Sequence, residues 1–197
     1  SGRLTRLDVA KSATVSAVSV LEDEARMGVV VFDHEAAVIV PLQRKNEQVL
    51  SDSLTPLIPG GGTFIYPGLL AAVEMLRGVD APSKHIVVMT DGLSQEADFR
   101  PLLTEANRNG ITISAIAISS AADPRQPLSI AEGGKGAFYQ TDDMRALPSI
   151  LTQEALMLST TTVKTDTVPV TWVNRDAEFL ANLPDRLPPV HGYVRTS

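Results

Sequence analysis

A chain of 197 residues with 44 % hydrophobic and 20 % charged residues is globular, long enough to bury a core, and sized for one domain or one domain with an extension. Its net charge of −6 and pI near 5.0 argue against nucleic acid or an anionic membrane as the main partner. The absence of cysteine excludes disulfides, zinc–thiolate sites and a thiol nucleophile. No apolar run reaches about 18 residues and no charged-then-apolar leader is present, so no direct membrane insertion is expected of this segment.

Along the chain, two periods alternate. From Leu4 to Leu21 the apolar and small residues Leu7, Ala10, Thr14, Ala17, Val18 and Leu21 recur at helical spacing. Met27 to Asp33 and Glu35 to Gln43 read as two strands of a hairpin turning at Asp33-His34-Glu35. Asn46 to Leu57 reads as a helix closed by Pro59-Gly60-Gly61-Gly62, and the next helix is capped by Thr63 and stopped near Gly78. Lys84 to Thr90 is an unbroken apolar run, the pattern of a strand buried on both faces. A turn at Asp91-Gly92 leads to a helix from about Asp98 to Arg108 with its stop signal at Asn109-Gly110. Ile111 to Ser119 and Gly136 to Gln140 read as further strands, with a short helix starting near Pro127 between them. A last helix, capped by Asp142 or Asp143, runs to about Ser159. Strands alternating with helices in this way predict an α/β fold with a mainly parallel sheet covered on both faces. From Thr160 the alternation ends, so residues 1–159 are expected to form the domain. Residues 160–197 form a β-prone, Pro-rich extension whose Trp172, Val173, Phe179, Leu180 and Tyr193 suggest packing.

Ligands of open α/β sheets sit beyond the carboxyl ends of the strands. Three polar loops follow strands here, namely Asp33 to Glu35, Asp91-Gly92, and Ser119 to Asp123, and the glycine loop before Thr63 could share their rim. A phosphate loop is not supported. No lysine follows the glycines, and a helix rather than a strand precedes them. The plain alternatives are a tight turn with Thr63 as a helix cap, and Asp91 as an Asx turn or N-cap. Against these, the Thr63 hydroxyl and the Asp91 carboxylate are hard oxygen donors that suit Mg²⁺ or Ca²⁺, although Mg²⁺ needs six oxygens in all. His34, His85 and His191 show no paired ligand spacing: His34 reads as an exposed turn residue and His85 as the opening of a strand. No G-x-S-x-G elbow, H-E-x-x-H helix or aspartyl-nucleophile motif occurs, so no catalytic residue is expected.

Taken together, "RLDVAKSA", "GVVVFDHEA…VPL", "PGGGTFIYPGLLAA", "KHIVVMTDG" and "GITISAIAIS", in this order and spacing, resemble the von Willebrand factor type A domain over roughly Leu4 to Ser159. The resemblance implies a Rossmann-like sheet with one antiparallel edge strand. It also implies a protein-binding role, often through a divalent ion at a metal-ion-dependent adhesion site. By that analogy Thr63 and Asp91 are metal ligands, and Gly61, Gly62 and Gly92 shape their loops. The family's D-x-S-x-S motif, which ends its first strand and supplies an acid and two hydroxyls, occurs nowhere in this sequence. Mg²⁺ is therefore expected to bind weakly or not at all. In the family the first strand is the centre of the sheet. Its loss would leave two unpaired edges facing each other, open to strand exchange or dimerisation. Thr162 to Val173 is β-prone enough to fill such a gap from the same chain or a neighbour, although Pro169 would interrupt a central strand. Leu183 to Ser197 also resembles the junction of large bacterial membrane-anchored proteins in which a glutamine-amidotransferase-like domain follows.

The leading expectation is a non-enzymatic module that presents a partly metal-dependent rim to a protein ligand. The runner-up is a structural or regulatory domain of a multidomain membrane-linked protein that no longer binds metal. A metal-assisted hydrolase stands third, since only Asp33, Glu35 and Asp123 lie on loops comparable with that of Asp91. Net acidity fits a cytoplasmic and an extracellular setting equally.

Overall fold

The computed structural model describes residues 5–58, 60, 62–91, 94–118, 123–160, 164–168 and 190–193. The chain divides into two compact units, Ser1–Ser159 and Thr160–Ser197. The first unit opens with α1 (Arg6–Ser19). Its N-terminus is fixed by a capping box, in which the Thr5 hydroxyl accepts from the Asp8 amide while the Asp8 carboxylate accepts from the Thr5 amide at 3.0 Å. The hairpin β1 (Arg26–Phe32) and β2 (Ala36–Arg44) follows, then α2 (Glu47–Leu54) and α3 (Ile65–Leu76). Next come β3 (Lys84–Thr90), α4 (Arg100–Arg108), β4 (Ile111–Ala117), α5 (Arg125–Gly133), β5 (Lys135–Gln140), a 3₁₀ turn at Met144–Ala146, and α6 (Leu147–Thr160).

Strands β3, β4 and β5 form a parallel sheet in that order, and β1 and β2 pair antiparallel. The architecture is therefore the mixed, mainly parallel α/β arrangement expected of the sequence. Side-chain alternation along β3 sorts the helices onto two faces. Ile86 and Val88 pack with α3, α4 and α5, whereas Val87 and Met89 pack with α1 and α6. A third cluster joins Val18 of α1, Met27 and Val40 of the hairpin, and Leu50 and Leu54 of α2. β4 is buried along almost its whole length, as a strand paired on both edges and covered on both faces must be.

Several local expectations are corrected. Thr63 does not cap α3: the N-cap position is Phe64, which makes no side-chain cap bond, and the Ile65 amide is instead taken by the Ser94 hydroxyl at 3.0 Å. A partner from another loop thus replaces the local cap. α4 begins at Arg100 rather than Asp98, because the Asp98 carboxylate accepts from the Arg100 amide and guanidinium and so lies outside the first turn. β1 and β3 each lack a strand partner on one edge among the described residues, so the hairpin and the parallel sheet remain separate ladders. In the second unit, β6 (Lys164–Val168) lies within the segment considered as a filler, and its partner is β7 (Val190–Tyr193). Pro169, Trp172, Val173, Phe179 and Leu180 lie outside the described residues. No described helix is long and apolar enough to cross a membrane.

At the amino-terminal end of β3, α6 is held to the sheet by a buried polar cluster. Glu154 Oε2 lies 2.8 Å from His85 Nε2, its Oε1 accepts from the Tyr139 hydroxyl at 2.6 Å, and His85 Nδ1 lies 2.6 Å from the Thr112 hydroxyl. The His85 and Glu154 side chains are 7 % and 5 % exposed, so every unmatched donor here would be costly. Burial pushes the Glu154 carboxyl up, but bonds from His85, Tyr139 and Ser114 outweigh it and hold the group at about 2, against an ordinary 4.5. Burial and the Glu154 bond together push Tyr139 up to about 12. A carboxyl depressed in the folded state stabilises the fold above its unfolded value and loses that contribution as pH falls towards its folded value. Glu154→Ala, which strands three donors, is expected to cost about 3 kcal/mol in urea unfolding at pH 7. The isosteric Glu154→Gln should flatten the loss of stability between pH 4.5 and 2 relative to the parent chain. An unchanged acid profile in that variant would show that the cluster does not carry this linkage.

Candidate functional site

The carboxyl ends of β1 and β3 lie on one rim, because both are tied to the glycine loop between α2 and α3. On the β1 side the hairpin tip rests on that loop. A Cβ on Gly60 would lie 3.0 Å from Asp33 Oδ2, and one on Gly62 would lie 2.2 to 2.8 Å from atoms of the His34 ring. On the β3 side, the Gln95 amide donates to the Thr63 carbonyl at 3.0 Å and Ser94 receives the Ile65 amide at 3.0 Å. The start of α5 joins the same loop through Gln126 Nε2, which donates to the Gln95 carbonyl at 3.0 Å.

The structure thus brings Thr63 and the loop that follows Asp91 together. Thr63 is half-buried and Asp91 is exposed at the end of β3. Gly62 has φ +83°, a left-handed conformation that glycine adopts without the penalty of a side chain, and its missing Cβ makes room for His34. Gly61 and Gly92, expected to shape the same loops, lie outside the described residues. His34 is exposed as expected, but it acts as the plug over Gly62, which sequence spacing alone gave no means to see.

The rim acids are engaged one by one with partners of their own. Asp33 Oδ1 accepts from the His34 and Glu35 amides, and these backbone bonds, Glu35 first, lower its carboxyl. The Arg125 guanidinium and amide hold the Asp123 carboxyl at about 2. Asp143 caps the 3₁₀ turn by accepting from the Arg145 amide at 3.0 Å, and Arg145 folds back onto it and lowers it in the same way. Asp91 meets the Arg6 guanidinium, from the first turn of α1, at 3.7 Å. Both members of that pair are about half exposed, so the contact is worth under about 1 kcal/mol. Arg6 was not singled out by sequence reasoning. It is visible only once α1 is known to begin at the carboxyl end of β3.

The donor set tests the expected ion. Of the expected ligands, Thr63 stands on the glycine loop and Asp91 at the end of β3, the Ser94 hydroxyl beside Thr63 is turned to the Ile65 amide, and a guanidinium stands beside the carboxylate. No group of three or more His, Cys, Asp or Glu able to hold a metal occurs among the described residues. Octahedral Mg²⁺ asks for six oxygens and gives up its waters reluctantly, so these residues by themselves do not fit a tight Mg²⁺ site.

The family model for the von Willebrand factor type A domain matches residues 3–153. The chain belongs to the von Willebrand factor type A domain family. A bacterial relative, the uncharacterized protein sll0103 of Synechocystis, is 32 % identical over 94 residues, which cover 47 % of this chain and 22 % of that protein. Among solved structures, a von Willebrand factor type A protein from Catenulispora acidiphila superposes with a TM-score of 0.68 at 23 % identity, over 83 % of this chain and 39 % of its own. An aerotolerance-related membrane protein from Bacteroides fragilis superposes with a TM-score of 0.65 at 18 % identity, over 79 % of this chain and 90 % of its own. Proximal thread matrix protein 1 of the mussel byssus, with a zinc-occupied adhesion-site motif, gives 0.64 at 21 % identity, over 78 % of this chain and 43 % of its own. At these identities the structural likeness concerns the fold. The chain spans about a fifth of the Synechocystis relative and well under half of the Catenulispora chain.

In this von Willebrand factor type A domain, the glycine loop and the hairpin tip are coupled through Gly62 and His34. Gly62→Ala is expected to destabilise the domain by about 1–2 kcal/mol from the backbone alone, with an added cost from displacing the ring. His34→Ala in the Gly62→Ala background should recover the steric part and leave the backbone part, as read by thermal melting. Additive losses in the double variant would mean that the ring and the loop are not in contact.

Proposed function

We propose that this domain is a non-enzymatic protein-binding module whose recognition face is the Thr63–Asp91 rim. The observation that supports this most directly is the tying together of the hairpin tip, the glycine loop and the post-β3 loop into one face, with Asp91, Glu35 and Gln95 exposed on it. A rim whose loops brace one another binds with little ordering cost, which favours recognition of another folded surface. The family's general role in interaction and adhesion points the same way. The catalytic reading has less support, because Asp33 and Asp123 are engaged in their own turns.

In its finer form the reading makes Thr63 and Asp91 a partial metal-ion-dependent adhesion site for Mg²⁺, with Gly61, Gly62 and Gly92 shaping it. The donor set makes that ion weakly held, so recognition by this chain rests on the rim's own side chains. The Arg6–Asp91 contact favours a second reading, a structural or regulatory domain of a multidomain membrane-linked protein in which a guanidinium balances the acid. A membrane protein among the structural neighbours is compatible with that setting.

Calorimetry separates the two. Under the first reading Mg²⁺ binds with a Kd weaker than about 1 mM, Asp91→Ala abolishes the heat, and Arg6→Ala tightens binding severalfold. No heat in the parent chain or in Arg6→Ala selects the second reading. Partner binding is tested by photo-crosslinking residues placed at Glu35 or Gln95 on the rim and at Glu47 on α2, which is exposed at the opposite end of the hairpin. The rim positions should capture a protein that Glu47 does not. Equal capture from both ends sinks the assignment of the face.

A further inference from the structure

Ile58, in the segment between α2 and the glycine loop, is 83 % exposed, whereas every other exposed large apolar side chain among the described residues lies between 37 % and 50 %. Partial exposure of scattered apolar groups is ordinary on a protein surface. Near-complete exposure of a branched aliphatic side chain is not, because removing such a group from water is a main source of folding free energy.

The backbone that carries Ile58 is held on both sides. Before it, Lys11 Nζ of α1 donates to the Thr55 carbonyl at 3.2 Å and the Leu57 carbonyl at 2.6 Å, and the Leu57 amide donates to the Leu54 carbonyl at 3.1 Å. Leu57 itself packs with Val18 of α1 and with Leu50 and Leu54 of α2. Two residues after Ile58, Gly60 lies against the hairpin tip, where an added Cβ would be 3.0 Å from Asp33 Oδ2. Of two neighbouring aliphatic residues, Leu57 is thus drawn into the core and Ile58 is presented to solvent.

The same contacts place Ile58 on the rim. Lys11 stands about one and a half helical turns beyond Arg6, which meets Asp91 at 3.7 Å. On the other side, Asp33 follows directly on β1. The charges at this tip are negative. Asp33 and Glu35 form no ion pair among the described residues. Lys11, the cation that reaches this loop, turns its ammonium onto two backbone carbonyls.

We propose that Ile58 is the apolar anchor of the rim, and that its partner is a folded protein offering an aliphatic pocket bordered by lysine or arginine side chains. This rests on the rim being the recognition face and adds the chemistry of what it recognises. An anchor carried by a fixed backbone loses little freedom on binding, and a few buried anchors supply most of the energy of an interface. The acids beside it select a basic surround and speed the encounter. A second copy of this chain fits poorly, since each carries a net charge of −6 and brings the same acids to the contact.

A defined probe tests the anchor without mutation. Aminated β-cyclodextrin is an apolar cavity ringed by ammonium groups, and the neutral and carboxymethylated hosts differ from it in charge. Each is titrated into the chain with methyl-labelled isoleucine and followed by NMR. The aminated host is expected to shift the Ile58 methyl saturably, at least about threefold more tightly than the neutral host, with the preference lost in about 1 M salt. No shift with the aminated host, or equal affinity for all three, overturns the proposal. In the full chain, a photo-crosslinker at Gln95 then reads the partner itself. Its adduct should fall at least about tenfold with Ile58→Ser, fall severalfold with Glu35→Lys, and return with Ile58→Leu, while the variants melt with the parent. An adduct indifferent to Ile58→Ser overturns the anchor and leaves the rim as the recognition face. No adduct from Gln95 or from Glu35 removes the rim reading and the anchor with it. An adduct of twice the chain's own mass assigns the face to a second copy and overturns the proposed partner.

Discussion

The domain depends on how β3 is buried. Its residues alternate between two helical layers, with Ile86 and Val88 against α3, α4 and α5, and Val87 and Met89 against α1 and α6. Ile86 and Val88 are buried and Val87 and Met89 half-buried; fully burying such a side chain is worth about 1.5–3 kcal/mol, so the strand is the element on which both hydrophobic layers converge. Its parallel register with β4 runs unbroken from Lys84 against Ile111 to Thr90 against Ala117. A parallel strand has its ends at opposite poles of the sheet, and here the two poles do different work. The carboxyl end delivers Asp91 to the rim, and the amino end delivers His85 to Glu154.

Electrostatics on the rim follows a repeated local device. Asp98, Asp123 and Asp143 each stand just ahead of a helical segment, and each is met by an arginine two residues on, Arg100, Arg125 and Arg145. The carboxylate accepts from the first amides, where the helix dipole favours negative charge, and the guanidinium screens it from its neighbours. In all three pairs the arginine is almost fully exposed, so the pairing contributes little to stability. Its effect is on the field at the rim, where acids on adjacent loops would otherwise repel one another. Asp91 differs because its partner comes from α1, far away in sequence, and the contact is longer. Of these acids it is the one whose charge balance depends on where α1 is placed.

Much of this was legible in the sequence, and the reasons differ from element to element. Lys84 to Thr90 and Ile111 to Ala117 declared themselves because burial on both faces demands unbroken apolar runs. The left-handed glycines Gly78 and Gly110 marked helix ends because few other residues adopt φ near +70° cheaply. The hairpin was visible in its turn, where the Asp33 side chain satisfies two amides in succession. What stayed hidden was tertiary. Thr63 has the chemistry of a cap, yet Ser94, 29 residues on, takes the amide that α3 presents. Glu154 sits in a helix with ordinary spacing, and only the register that places His85 beside Thr112, and Tyr139 beyond, shows that it faces inward. Arg6 reads as a surface residue of a capped helix until the packing brings it to Asp91.

The separation of the two poles also bears on how such a domain can change its function without losing its fold. His85 and Asp91 lie six residues apart along an extended strand, roughly 20 Å. That is about twice the distance over which exposed charges interact in physiological salt. The buried cluster draws its partners from β3, β4, β5 and α6, with His85 and Thr112 at the amino end and Tyr139 reaching Glu154 from a position opposite Ile116. Loss or replacement of an oxygen donor near Thr63 and Asp91 therefore leaves the anchoring of α6 untouched. Conversely, a change at Glu154 acts through the position of α6 rather than through the charge of the rim. A sheet whose buried polar contacts and exposed loops share no side chain can change its loops while the core remains the same, and in this chain the Arg6–Asp91 contact is separate from the His85–Glu154 pair that anchors α6.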